Sequence, residues 1–375
     1  MNINTISVIL FYSILAILIY KNRSKIQRHA GIIFIYEGKF GIKLMDKLAK
    51  YERFWKVWSY IGIPIGYLGM GFIFYFLFNV FLFPTPETAI SPIIPGVKIP
   101  GSNFFLPFWH GIIGLFSLLV IHEGAHGIIS RVHKVKVEST GVGLLAILPF
   151  AFVKPNEKQI KKLSVSKRIA IYAAGPFANI TTALIALGIL MFAVMPTLIG
   201  AYDILGLNVL DVTEDFPAES AGLESGDVIT FIDDIPLSDS SVAYDTLLSK
   251  LPGDKMSLTL DSGEIISMNA AENPLNPNDG HYGFSFEGIL EQKESAWYAE
   301  GLSIFKDFLY FFITLSLGVG LFNLLPLGPL DGGKMIKDGL VAVTKREKLS
   351  NKIFIYLSLL TFLMLLVSIF RPMIV

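Results

Sequence analysis

Long apolar runs separated by polar stretches dominate the chain, and six of them come close to or exceed the ~20 residues that a transmembrane helix needs. They are Ile3–Tyr20, Trp58–Phe83, Phe108–Ser130, Ile169–Met195, Leu302–Leu325 and Ile353–Phe370. The first is slightly short, and no basic residue precedes it and no small-residue cleavage site follows, so it reads as a retained span. A further apolar run, Gly141–Val153, is too short to cross and is interrupted by Pro149. Between the fourth and fifth runs the pattern changes, and residues 200–290 are rich in Asp, Glu, Ser, Asn and Gly. Within them Val209–Val212, Val228–Ile232, Met256–Leu260 and Ile265–Met268 read as short strands, with Asp261-Ser262-Gly263 as a hairpin turn. Val242–Leu251 has helical spacing and stops before Pro252-Gly253.

The pattern predicts an all-α polytopic membrane protein of about six transmembrane helices carrying one small α+β domain. Residues 1–107 form an N-terminal region with two spans, 108–199 the first half of a membrane core, 200–295 the inserted domain, and 296–375 the second half of the core.

Charge orients the spans. Basic residues crowd the segments Lys21–Lys56, Arg131–Arg168 and Lys334–Lys352, whereas Lys98 stands alone between the second and third spans. The positive-inside rule puts those three loops in the cytoplasm and both termini outside, with the 200–290 insert outside as well. Composition agrees: 53% of residues are hydrophobic and 17% charged, below the ~25% charged of soluble chains. Net charge is zero, which gives no electrostatic reason to propose a nucleic-acid partner. With no cysteine, any metal must take His or carboxylate ligands.

His122-Glu123-Gly124-Ala125-His126 lies inside the third span. Residues four apart share a helix face, so both imidazoles can meet one Zn²⁺ while Glu123 sits where a general base is needed. The string is weak in a soluble protein, but three ionisable groups within a membrane span mark a functional site. A zinc hydrolase needs a third ligand. His133 lies about 10 Å farther along the axis, among Arg131, Lys134 and Lys136, and reads as a solvated residue. His110 is near the other end of the span, while His29 and His281 fall in loops on opposite sides. Asp331 is the better candidate. It follows Asn323-Leu324-Leu325-Pro326-Leu327-Gly328-Pro329-Leu330, where two prolines prevent an ordinary helix, and Gly332-Gly333 allow close approach. Irregular backbone at membrane depth is tolerated where it lines a cavity or is buried in protein.

H-E-x-x-H in one span with N-x-x-P-x-x-P-x-D-G-G ending a later one resembles the site-2 protease family of intramembrane zinc metalloproteases. The resemblance implies His122, His126 and Asp331 as zinc ligands, Glu123 as base, and Asn323 as an oxyanion or substrate contact. Gly175-Pro176-Phe177-Ala178-Asn179 also resembles a family element, with Asn179 either supporting the site or making a helix-packing contact. For Gly141–Val153 the family implies a re-entrant β-like segment whose edge holds an unwound substrate by strand addition. The run Pro217–Ile229 resembles PDZ domains of bacterial membrane and periplasmic proteases, which implies a bound peptide or C-terminus; simple steric control of access is the alternative. Pro64 within Gly62–Gly66 suggests a gating kink or a packing contact.

These features predict an intramembrane zinc endopeptidase at the cell membrane, acting on transmembrane protein substrates in the cytoplasmic half of the bilayer. Two other classes use part of the pattern. A metal-ion transporter would employ His122, His126 and Asp331 as a transit site but leave Glu123 and the insert without a role. An inactive scaffold would bind partners through the PDZ-like insert alone.

Overall fold

The computed structural model describes residues 3–29, 32–83, 93–98, 104–146, 148–237, 246, 249–274 and 276–370. The chain divides into two compact units, residues 1–190 with 306–375, and residues 191–305.

The first unit is built on helices α1 (Ile3–Lys21), α2 (Ile42–Leu48), α3 (Glu52–Leu82), α4 (Phe108–Val132), α5 (Glu157–Lys161) and α6 (Val165–Ile189). A π-helical turn at Leu190–Val194 and the short α7 (Met195–Ile199) prolong α6. After α8 (Pro217–Ser220), which lies in the second unit, come α9 (Ala299–Asn323), α10 (Asp331–Thr344) and α11 (Glu347–Phe370). Among the described residues five helices are long and apolar enough to cross a membrane: α3, α4, α6 with its extension, α9 and α11. The expected sixth, α1, is a 19-residue apolar helix, shorter than the other five. Leu68, Phe72, Leu184, Ile185, Ile355 and Leu359 stand exposed on these helices, a surface suited to lipid.

Small residues let the helices approach closely. On α6 the side chains of Ala170, Ala173, Ala174, Ala178, Ala183 and Ala186 are buried, as such stripes are in membrane bundles. Packed around them are Ile129 and Ile171 on one side and Met70, Leu324 and Met335 on another. A Cβ on Gly62 would lie 2.8 Å from the Phe177 ring, and one on Gly66 2.8 Å from the Met335 methyl. Those two glycines therefore serve packing of α3 against α6 and α10, and Pro64 sits within a continuous helix.

The all-α description of the membrane unit needs correction, because it holds an antiparallel sheet in the order β1-β2-β3-β4. Its strands are β1 (Ile26–His29), β2 (Ile33–Gly38), β3 (Val137–Leu145) and β4 (Leu148–Pro155). The β3–β4 hairpin covers the Gly141–Val153 run, which is β-structured as expected. Its glycines have a specific reason: Gly141 pairs with Phe152 and Gly143 with Phe150, and a Cβ on either glycine would strike the opposite ring at 2.1 and 2.3 Å. The rings cover the strand glycines and hold the register. The β1–β2 hairpin was not anticipated; β2 pairs with β3 from Ile33↔Leu145 to Gly38↔Thr140, leaving β4 as the terminal strand.

The second unit contains a sheet in the order β12-β5-β6-β8-β9, with β7 paired to β6. Strands β5 (Tyr202–Val212), β6 (Val228–Ile232), β8 (Lys255–Leu260) and β9 (Ile265–Asn269) contain the four that the alternation predicts. β7 (Ile235–Pro236) and β12 (Phe284–Gln292) complete it, while β10 (Ala271–Asn273) and β11 (Asn276–His281) pair as a separate two-stranded sheet. The inward positions Leu207, Ile229, Ile232, Met256 and Leu258 are fully buried and form the core. Gly263, at φ 85°, makes the β8–β9 turn that Asp261-Ser262-Gly263 foretells. The helical expectation at Val242–Leu251 falls mostly outside the described residues. Near Leu251, Asp233 accepts from Lys250 Nζ at 2.5 Å and from the Ser257 N–H at 2.7 Å. Burial pushes the Asp233 carboxyl up, but these bonds outweigh it and hold the group below its ordinary value.

Candidate metal centre

Helix α4 presents His122 and His126 one turn apart, and the start of α10 brings in Asp331. The Nε2 atoms of His122 and His126 are 3.3 Å apart and lie 3.1 and 3.0 Å from Asp331 Oδ2. Two nitrogens and one carboxylate oxygen so spaced form one face of a tetrahedron. Ligands at ~2.0–2.1 Å from a tetrahedral Zn²⁺ stand about 3.3 Å from each other, so the donor set fits zinc and leaves a fourth position open. Among the described residues these three are the one group able to hold a metal ion. His122 and Asp331 are buried, and the His126 side chain is 12% exposed.

Helix α6 runs alongside and supports the cluster from three positions at four-residue spacing. The carbonyl of Ile171 lies 2.7 Å from His126 Nδ1, which fixes Nδ1–H as its donor and frees Nε2 for a metal. Pro176 lacks an N–H and loosens this turn. Gly175 faces both imidazoles: a Cβ there would lie 2.3 Å from His126 Nε2 and 2.5 Å from His122 Nε2. That distance is close to a metal–ligand bond, so the missing side chain leaves the cradle in which the ion fits. Asn179, fully buried, places its amide 3.3 Å from His122 Nδ1.

Asp331 is placed by the irregular segment between α9 and α10. Leu330 caps α10 and Asp331 opens its first turn, where a carboxylate suits the positive end of the helix. Gly332 and Gly333 pack on that segment so tightly that a Cβ would meet the carbonyls of Leu324 and Leu327 at 2.1 and 1.9 Å. The two glycines thus secure the loop beneath the aspartate. Lys334 Nζ donates to Asp331 Oδ1 at 3.2 Å, leaving Oδ2 for the cluster. Farther along α10, Asp338 pairs with both Nε and Nη2 of Arg168 on α6, at 2.6 and 3.1 Å, and so ties the two helices.

Glu123 lines a cavity of about 400 Å³ together with His126, Val153, Tyr172, Asp331 and Lys334. Its Oε2 accepts the Val153 N–H of β4 at 3.0 Å. A larger groove of about 670 Å³ runs among α1, the sheet and α4, and carries no metal-ligating side chain. Asn323 is half-buried; its amide donates to the Val319 carbonyl at 3.0 Å and it does not line the Glu123 cavity. His133 is not in the cluster, as the spacing foretells, yet it is buried rather than solvated, with its Nε2 unpartnered and its ring against Tyr60. Burial, reinforced by Lys167 and Lys56, keeps that imidazole below its ordinary value. Sequence reasoning missed Ile171 and Lys334 altogether. The signal was available in the 171/175/179 spacing, which puts a carbonyl, a glycine and an amide on one face of α6.

The profile of Peptidase family M50 matches residues 110–368. The chain is 30% identical to an uncharacterized protein of Methanocaldococcus jannaschii over 345 residues, covering 88% of this chain and 85% of that one. It is 25% identical to the zinc metalloprotease RasP of Shouchella clausii, over 49% of this chain and 53% of the relative. With RasP of Oceanobacillus iheyensis the identity is 23% over 58% and 62% of the two chains. The profile reaches from α4, which carries the histidines, through α11, beyond the aspartate. On that extent of match, this multi-pass membrane protein belongs to peptidase family M50, the site-2 protease family.

Proposed function

We propose that the protein is an intramembrane zinc endopeptidase that hydrolyses peptide bonds in or beside the transmembrane segments of membrane proteins, as in regulated intramembrane proteolysis. The observation that carries this reading is the meeting of His122 and His126, on the membrane-spanning helix α4, with Asp331 at the start of α10, and with Glu123 beside them at the edge of β4. His122, His126 and Asp331 would hold the ion, which when bound polarises the scissile carbonyl and acidifies water. Glu123 takes the proton of the attacking water and delivers it to the leaving amine as the C–N bond breaks. The oxygen ends on the new carboxyl group. Gly175 leaves room for the ion, while Ile171 and Lys334 orient His126 and Asp331. Asn323 serves the oxyanion or the substrate after releasing Val319.

A transmembrane helix hides its peptide bonds in its own hydrogen bonds, so a substrate must unwind before it reacts. Strand β4 ends the sheet beside Glu123, which suits it to receive the unwound segment by strand addition. The basic loops favour a site in the cytoplasmic half of the cell membrane and residues 200–295 outside. That segment is read as a PDZ-like domain that takes a peptide or C-terminus and filters substrates, between core halves at 108–199 and 296–375 and after the N-terminal region 1–107.

The test is a cleavage assay in detergent on a model membrane substrate, paired with metal analysis. Glu123→Gln should lower turnover about 10²–10⁴-fold with zinc content near one per chain, and a chelator should abolish wild-type cleavage. Unimpaired cleavage by Glu123→Gln, or zinc movement across vesicles without proteolysis, would overturn the reading. Removal of residues 205–290 should leave catalysis intact and alter substrate choice.

A further inference from the structure

We infer that Asn179 is a positioning residue for the metal centre, and that its amide stands with Oδ1, not Nδ2, toward His122 when the ion is held. The inference rests on the reading of His122 as a ligand and extends it to the neighbouring layer.

Asn179 is fully buried, its Nδ2 lies 3.3 Å from His122 Nδ1, and its Oδ1 has no hydrogen-bond partner. Amide oxygen and nitrogen are alike in shape, so their assignment follows from the partners each one meets. With Nδ2 facing the ring, Asn179 donates to Nδ1 and the single proton of a neutral imidazole is forced onto Nε2. That nitrogen is 3.1 Å from Asp331 Oδ2 and 3.3 Å from His126 Nε2, and a protonated nitrogen cannot coordinate. Turning the amide by half a rotation reverses this. Oδ1 then accepts Nδ1–H and the Nε2 lone pair faces the cluster. One amide end stays unpaired in either orientation, so the ring decides between them.

His126 already shows the arrangement, since its Nδ1 faces the Ile171 carbonyl at 2.7 Å. Asn179 stands two turns farther along α6 and meets the other histidine. Both imidazoles would thus be held in their ligating tautomer by acceptors from one helix, a carbonyl for one and a side-chain amide for the other. The backbone of Asn179 is itself fixed, its carbonyl accepting from Ser316 Oγ at 3.0 Å.

The experiment is zinc titration of the full-length, detergent-purified protein against a chromophoric chelator, on wild type, His122→Ala, Asn179→Leu and Asn179→Asp. Loss of binding in His122→Ala establishes the ligand on which the inference rests, and its persistence would overturn both readings at once. Given that loss, Asn179→Leu should weaken zinc about 10–100-fold. Asn179→Asp keeps an acceptor in place and should bind at least as tightly as wild type. Wild-type affinity in Asn179→Leu would overturn the inference, and so would equal weakening in both variants, which would make the amide N–H the important group. Should Asn179→Leu fail to fold, Asn179→Asp decides alone, because a drop of tenfold or more there contradicts an acceptor role.

Discussion

Val153 donates its backbone N–H to Oε2 of Glu123 at 3.0 Å, so the carboxylate beside the histidines is tethered to a strand. In an antiparallel ladder the N–H groups alternate between the two sides. Because Val153 points away from β3, Ala151, two residues back, turns its N–H to the same outer edge. A segment added there would lie against Glu123. Ala151→Pro removes that donor without touching the bonds to β3. Cleavage of a model substrate should fall about tenfold, the worth of one hydrogen bond, with zinc affinity unchanged. Wild-type turnover in a kinetic assay would remove this edge from the substrate path.

Gly175→Ala places a methyl group 2.3 Å from His126 Nε2 and 2.5 Å from His122 Nε2. Zinc content measured by elemental analysis should drop to well below one per chain, because either the ion or the ring positions must give way. Stability should suffer less, since alanine is the better helix former and already stands at Ala173, Ala174 and Ala178. Full zinc occupancy in the variant would show that α6 can retreat.

Metal removal should act on one unit only. An ion bound at 100 times its Kd stabilises the folded state by ~2.7 kcal/mol. Chelation should therefore speed amide hydrogen exchange in α4, α6 and the start of α10, and leave the β5–β12 amides as they were. Equal loosening of both units would count against a site confined to the first.

The inserted domain should lose stability in acid through Asp233. Its folded carboxyl sits below the ordinary value, so the contribution is complete above about pH 4, the unfolded value, and disappears as pH falls through the lower, folded one. Asp233→Asn should flatten that part of a pH–melting curve recorded on the whole protein, with little change in zinc binding. An unaltered curve would assign the acid sensitivity elsewhere.

Much of this was legible from residue patterns because lipid imposes a long and unmistakable apolar signature. α3, α4, α6, α9 and α11 were found for that reason, and α1, whose run is marginal in length, forms a shorter apolar helix. The β1–β2 hairpin escaped notice since its strands are short, sit among basic residues, and join the sheet through β2, which pairs with β3 a hundred positions later. Asp331 could be placed from its prolines and glycines, but not the reason for the glycines, which is contact with the carbonyls of Leu324 and Leu327. His133 was misjudged because flanking charges said nothing of the fold that covers it. Asn323, a motif residue, bonds to its own helix, which no spacing rule reveals.

His122 and Asp331 are separated by 209 positions, and an entire folded unit is threaded between them. A ribosome making this chain would release His122, Glu123 and His126 long before Asp331 exists. On the proposed function, a chain without α10 has no complete metal site, so a half-made copy would leave neighbouring membrane proteins uncut. Truncated products ending anywhere before that helix would lack the site as well.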